Sequence, residues 1–213
     1  MDMWILTHPH VDHIGAFIEI YRNNKDIIIN DVYTANMTRL HSQNEFSDDA
    51  SLYGEFLSLD LQQIGYLNKG DILEFYGLKI KILSAYADYV DIVSGEFPDN
   101  NIVNDGSLVF KVCGNQESML FCADAESLSN YLIKEYEDEL KSDYLQLSHH
   151  GNSGLSKEFY ALINPKVAFM DASAFLMEDV TGKYDSFENA EFMNSIGSEV
   201  YTFKTAPNRI VLK

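Results

Sequence analysis

Thr7-His8-Pro9-His10-Val11-Asp12-His13-Ile14-Gly15 places three imidazoles and a carboxylate within six positions. His8, His10 and Asp12 alternate, so a roughly extended backbone points them the same way, while His13 faces a second point nearby. Imidazole and carboxylate are ligands of zinc, manganese and iron, and a ligating imidazole needs its other ring nitrogen fixed by a neighbour. Met3-Trp4-Ile5-Leu6 ahead of the cluster reads as a short apolar strand. Ile14 to Tyr21 behind it reads as a helix with an apolar face. The candidate ligands therefore sit in a loop at the end of a buried strand, where functional residues are often mounted. A lone histidine is usually structural, whereas a spaced cluster with Asp reads as a site.

The composition bounds the alternatives. The chain has 213 residues, enough for one domain, 1–213, with a sizeable core. Hydrophobic residues at 46% and aromatics at 13% belong to an ordered globular protein. A formal charge of −18 argues against a general nucleic-acid coat, which is driven by cations meeting phosphates. Cys113 and Cys122 fall on neighbouring strands without facing each other, so buried free thiols are expected. No stretch approaches the length of a membrane span, and the start lacks a signal peptide's basic and apolar regions, so a cytoplasmic protein away from the membrane is expected.

Along the chain, Ile27 to Val32 suits a buried strand. Leu52, Phe56, Leu59, Gln63 and Tyr66 recur at helical spacing and predict a helix over Leu52–Leu67. Residues 72–75 and 78–83 form a hairpin around Tyr76-Gly77. Residues 84–106 lack periodicity and read as a long loop of the kind that is usually functional. A second hairpin follows, Ser107–Val112 with Ser118–Cys122, and then a helix over Ala125–Leu140. Tyr144–Ser148 is a strand ending in His149-His150-Gly151, Ser156–Ile163 a helix, Lys166–Met170 a strand, and 175–185 a surface excursion. A helix over Ser186–Ile196 and strands at Val200–Phe203 and Arg209–Leu212 close the chain. This order predicts an α/β (α+β) fold of layered sheets with helices outside.

Two further places offer ligands. Asp124 follows the apolar strand Met119-Leu120-Phe121-Cys122, where it serves either as a ligand or as the N-cap of the next helix. His149-His150 again ends a strand, and unpaired imidazoles are costly in a core. One of the pair is expected to be a ligand, and the other supports it or acts as a proton donor and substrate contact.

His-x-His-x-Asp-His-x-Gly after a hydrophobic strand resembles the metallo-β-lactamase superfamily, with five defined residues in eight positions. Asn104-x-Gly106-Ser107-Leu108-Val109, the strand ending in His149-His150-Gly151, Asn164-Pro165-Lys166-Val167-Ala168 and the closing Val200-Tyr201-x-Phe203 with Arg209-Ile210-Val211-Leu212 resemble its competence-type (ComEC-like) hydrolase branch. Phosphorylcholine esterases look similar in this region. The resemblance implies the αββα sandwich. It makes Asp124 the metal-bridging aspartate, although Ala123 stands where most relatives have Gly. It makes His150 the last ligand, with the opposite assignment to His149 left open.

The implied site holds two divalent ions on His8, His10, Asp12, His13, Asp124 and His150. Zinc is the first choice, with manganese or iron as alternatives. A water bridging the ions would ionise near neutral pH and attack a phosphodiester or related phosphate ester, with Asp12 moving a proton and His149 assisting the leaving group. Two departures from the family stand out. No His lies between His41 and His149 to supply the middle ligand, so water or Asp88 would complete the first site. The strands that precede the His cluster in relatives are missing, so the N-terminal sheet is expected to be incomplete, left thin or completed by a second copy in a homodimer. Both departures leave a non-catalytic interaction protein on the same scaffold as the alternative.

Overall fold

The computed structural model describes residues 1–24, 26–37, 47–87, 102–203 and 207–213. The chain divides into two compact units, Met1–Asp71 with Ser84–Leu108 and Ile72–Leu83 with Val109–Lys213. The architecture is mixed α/β with two sheets.

The first unit carries a three-stranded sheet, β1 (Met3–Leu6), β2 (Asp31–Ala35) and β3 (Ile64–Leu67), paired in that order and parallel. One wide helical turn over Val11–Gly15 leads into α1 (Ala16–Asn23), which buries Phe17 and Ile18. Trp4 meets Phe17 edge-on at 4.8 Å, and Phe17 lies 6.0 Å from Phe56 of α2 (Ser47–Leu57). Within the long stretch after residue 84, α3 (Ile102–Asp105) buries Val103, Asn104 and Asp105, and the Leu108 N–H donates to Thr7 O at 3.2 Å, placing this segment beside the start of the His cluster.

The second unit is built on seven strands in the order β10-β9-β8-β7-β6-β5-β4. These are β4 (Ile72–Phe75), β5 (Leu78–Ser84), β6 (Val109–Cys113), β7 (Ser118–Phe121), β8 (Tyr144–Gln146), β9 (Val167–Met170) and β10 (Glu199–Thr202). β4–β5 and β6–β7 are antiparallel hairpins, whereas β7, β8, β9 and β10 run parallel. Parallel neighbours need crossovers, and these contain α4 (Ser129–Tyr136), α5 (Lys157–Ile163), α6 (Ala174–Met177) and α7 (Ser186–Ser195). Leu120, Leu145 and Ala168 stand side by side in register and are fully buried. Alternation turns Met119, Val167 and Phe169 the other way, into a cluster with Tyr201, Ile210 and Leu212.

Four elements differ from expectation. The second strand starts at Asp31 rather than Ile27: Asn30 and Asp31 N–H groups donate to Met1 and Asp2 carbonyls, which fixes the ladder, and Ile28 is left 74% exposed. The helix at 52–67 stops at Leu57, and Ile64–Leu67 is β3. Ile, Gly and Tyr suit a strand better than a helix, and a Cβ on Gly65 would lie 2.4 Å from the Tyr33 ring. The helix at 125–140 is confined to Ser129–Tyr136 with a tighter 3₁₀ turn to Leu140, because residues 122–128 are spent on a turn held by Ala125 N–H to Cys122 O at 3.2 Å. Residues 209–212 are not a strand. Lys213 O instead accepts from Gln116 and Glu117 N–H at 2.6 and 3.0 Å, while Ile210 and Leu212 pack on the sheet. Cys113 and Cys122 are free, as expected, and burial pushes the Cys122 thiol pKa up.

Asp143 fastens the near ends of three parallel strands. Its carboxylate accepts from Ser118 N–H at 2.9 Å and pairs with Lys166 at 2.8 Å, and its carbonyl accepts from Lys166 N–H at 2.8 Å. Burial raises the carboxyl pKa, but the Lys166 ammonium and the Ser118 N–H outweigh it and hold the group below its ordinary value. Asp143→Asn should cost about 1–2 kcal/mol at neutral pH in urea unfolding. A folded pKa below the unfolded one gives stability that is complete above the unfolded value of about 3.9 and lost as pH falls through the folded value. The gap between variant and wild type should therefore close below about pH 4.

Candidate metal centre

In the first unit the chain stays extended only through His10, at φ −71° and ψ 151°. The His13 and Ile14 N–H groups then both donate to His10 O at 3.0 Å, closing the wide turn. Asp12 consequently does not continue the alternation of His8 and His10. It is solvent-exposed and lies 3.8 Å from His13 Nε2.

His8 is 1% exposed and stands at the centre of the cluster. Its ring centroid is 4.7 Å from that of His10 and 4.0 Å from that of His13. His8 Nε2 faces His10 Nδ1 at 3.1 Å. Thr7 Oγ1 contacts His8 Nδ1 at 3.0 Å and His13 Nδ1 at 3.4 Å. One hydroxyl thus contacts the Nδ1 side of two rings, orienting His8 Nε2 toward His10 and His13 Nε2 toward Asp12.

In the second unit the candidates sit at the carboxyl ends of three adjacent parallel strands, where ligands bind in open α/β sheets. Asp124 follows β7, His149 and His150 follow β8, and Asp171 follows β9. The Gln146 carboxamide oxygen accepts from Cys122 and Ala123 N–H at 3.0 and 2.8 Å, and His149 N–H donates to Ala123 O at 2.8 Å. These bonds lock the end of β8 to the turn that carries Asp124. Asp124 is 2% exposed, and α4 begins five residues after it, so the capping role is excluded.

His150 Nε2 points at Asp124 Oδ2, 3.7 Å away, and its Nδ1 at Asp171 Oδ2, 3.4 Å away. His149 turns aside to Glu126, Nδ1 to Oε1 at 2.8 Å. The Glu126 carboxylate beside Nδ1, aided by the Asp124 charge, raises the His149 pKa against the opposing effects of burial and of His150.

The backbone here is strained. His149, His150 and Gly151 lie at φ 49°, 57° and 82°. Left-handed backbone costs a non-glycine residue about 1–2 kcal/mol, and Gly151 permits the third step. The buried Asn189 side chain donates to Gly151 O at 2.9 Å and helps hold the turn.

The donors are imidazole nitrogen and carboxylate oxygen without thiolate, a set that fits a divalent ion. Residues that can take part in holding a metal occur in both units: His8, Asp12 and His13 in the first, Asp124 and His150 in the second. Thr7, Gln146, Glu126 and Asp171 carry no family signal in the sequence, and their contacts appear only with the fold. His41 and Asp88 lie outside the described residues. Among the described residues no helix is long and apolar enough to cross a membrane.

Solved structures resemble the whole chain. The diiron β-hydroxylase CmlA from Streptomyces venezuelae matches with a TM-score of 0.59 at 12% identity, over 96% of this chain and 44% of that one. YhfI from Bacillus subtilis, described as a metallo-β-lactamase fold protein, matches with a TM-score of 0.55 at 11% identity, over 97% of this chain and 76% of that one. The chain has the metallo-β-lactamase fold. Among curated proteins it is 25% identical over 175 residues to ComE operon protein 3 of Bacillus subtilis (strain 168), covering 81% of this chain. It spans only 20% of that protein's length. No protein-family model matches the sequence.

Ala123, which stands where the family pattern has Gly, adopts φ 46°. Ala123→Gly should relieve this strain and raise unfolding stability by about 0.5–1 kcal/mol. An unchanged or lower stability would show that the lost methyl, buried in this turn, outweighs the backbone gain.

Proposed function

We propose that the chain is a metal-dependent hydrolase acting on a phosphodiester or related phosphate ester. The observation that carries the reading is the convergence of Asp124 and His150 on neighbouring parallel strand ends, His150 Nε2 facing the Asp124 carboxylate. His8, His10, Asp12 and His13 are the other candidate ligands. Zinc suits the donors first, then manganese or iron. Divalent ions held there supply Lewis acidity and a nucleophile from water at neutral pH.

The protein's own groups complete the chemistry. Exposed Asp12 accepts the proton released from the attacking water. His149, anchored through Nδ1 to Glu126 and with its pKa raised, gives a proton from Nε2 to the leaving oxygen. The sequence resemblance to competence-type hydrolases supports a phosphate ester. The fold alone does not choose the reaction, since CmlA joins it to a diiron β-hydroxylase.

Metal content after purification in zinc or manganese should approach two ions per chain, and Asp124→Ala should lose most of it. Full stoichiometry in that variant would remove Asp124 from the site. Hydrolysis of bis(p-nitrophenyl) phosphate should fall about 10²-fold or more in Asp12→Ala. A protein that binds no metal under any loading condition would be the interaction module instead.

A further inference from the structure

We propose that Asp171 is a positioning residue that fixes the His150 ring with its Nε2 lone pair turned toward Asp124. The inference deepens the metal-dependent reading and rests on it for the ring's purpose, but its geometry stands by itself. A neutral imidazole has one N–H and one lone pair, and His150 lies between two carboxylates that compete for that N–H. Asp171 Oδ2 is 3.4 Å from Nδ1 and Asp124 Oδ2 is 3.7 Å from Nε2. If Asp124 took the proton, the lone pair would sit on Nδ1, facing away from the ligand carboxylate, and His150 could not share an ion with it. Asp171 prevents this by accepting from Nδ1–H.

The position follows from topology. β8 and β9 are parallel with Gln146 opposite Phe169, and the Leu147 N–H extends the ladder to Phe169 O at 2.9 Å. The first residue after β9 therefore comes up beside the turn after β8. The left-handed backbone at His149 and His150 directs the two rings apart, His149 to Glu126 and His150 to Asp171. Each histidine thus has its own carboxylate, and His150 Nε2 faces Asp124.

Long-range ¹H–¹⁵N NMR of the metal-free protein, at a pH where the ring is neutral, reads the tautomer directly. Wild type should show His150 as the Nδ1–H form. Asp171→Ala should shift it toward Nε2–H, and Asp171→Asn, whose amide oxygen still accepts, should keep Nδ1–H. Asp171 is exposed, so neither change should disturb the fold. Zinc affinity by chelator competition should fall about 10–100-fold in Asp171→Ala and stay near wild type in Asp171→Asn. An Nε2–H ring in wild type, or a tautomer indifferent to Asp171→Ala, would overturn the proposal. The expected tautomers in a protein that binds no zinc would uphold the role of Asp171 and refute the metal-dependent reading.

Discussion

The parallel pairing of β7, β8 and β9 is the constraint on which the second unit's candidate site depends. Side chains at the carboxyl ends of parallel strands emerge at one edge of the sheet, so residues far apart in sequence meet without long loops. Asp143 ties the near ends and Gln146 the far ends, and the rigid rows between them carry fully buried Leu120, Leu145 and Ala168. Side chains mounted on strand ends are held more firmly than those on free loops. A slip in register would move Asp124, His150 and Asp171 out of reach of one another.

Against that rigid frame the turn after β8 stores strain. Two histidines in left-handed backbone cost about 1–2 kcal/mol each, and the surrounding fold has to offset this. The Gln146 and Asn189 hydrogen bonds do so locally. The outcome is divergence of two adjacent rings, one toward Glu126 and the other toward Asp171 and Asp124. In the first unit a different device achieves a similar end. A single Thr7 hydroxyl touches two imidazoles, and the wide turn after His10 brings His13 back beside buried His8.

Much of this was legible in the sequence, and the failures have physical causes. The spacing of His8, His10 and His13 after an apolar strand marked the loop in which the three rings cluster, and the hairpin at Tyr76-Gly77 is formed as read. The extended backbone assumed for the cluster failed at Asp12, because a turn that closes on His10 O leaves no periodic trace. The helix read over Leu52–Leu67 failed because helical spacing of apolar residues continued by chance into a strand whose place is set by the Tyr33–Gly65 approach. Asp124 taken alone also suits a helix cap, and the start of α4 at Ser129 removes that role. Glu126 and Asp171 could not be found from sequence, since each acts through a partner on another strand end.

The central proposal is that these imidazole and carboxylate donors hold divalent ions. Anomalous diffraction at the zinc or manganese edge, from crystals of the loaded protein, tests it directly. The account predicts two strong peaks, each with imidazole nitrogen and carboxylate oxygen at about 2.0–2.2 Å, drawn from His8, His10, Asp12, His13, Asp124 and His150. Peaks confined to surface carboxylates, or ions whose ligands omit both Asp124 and His150, would contradict it.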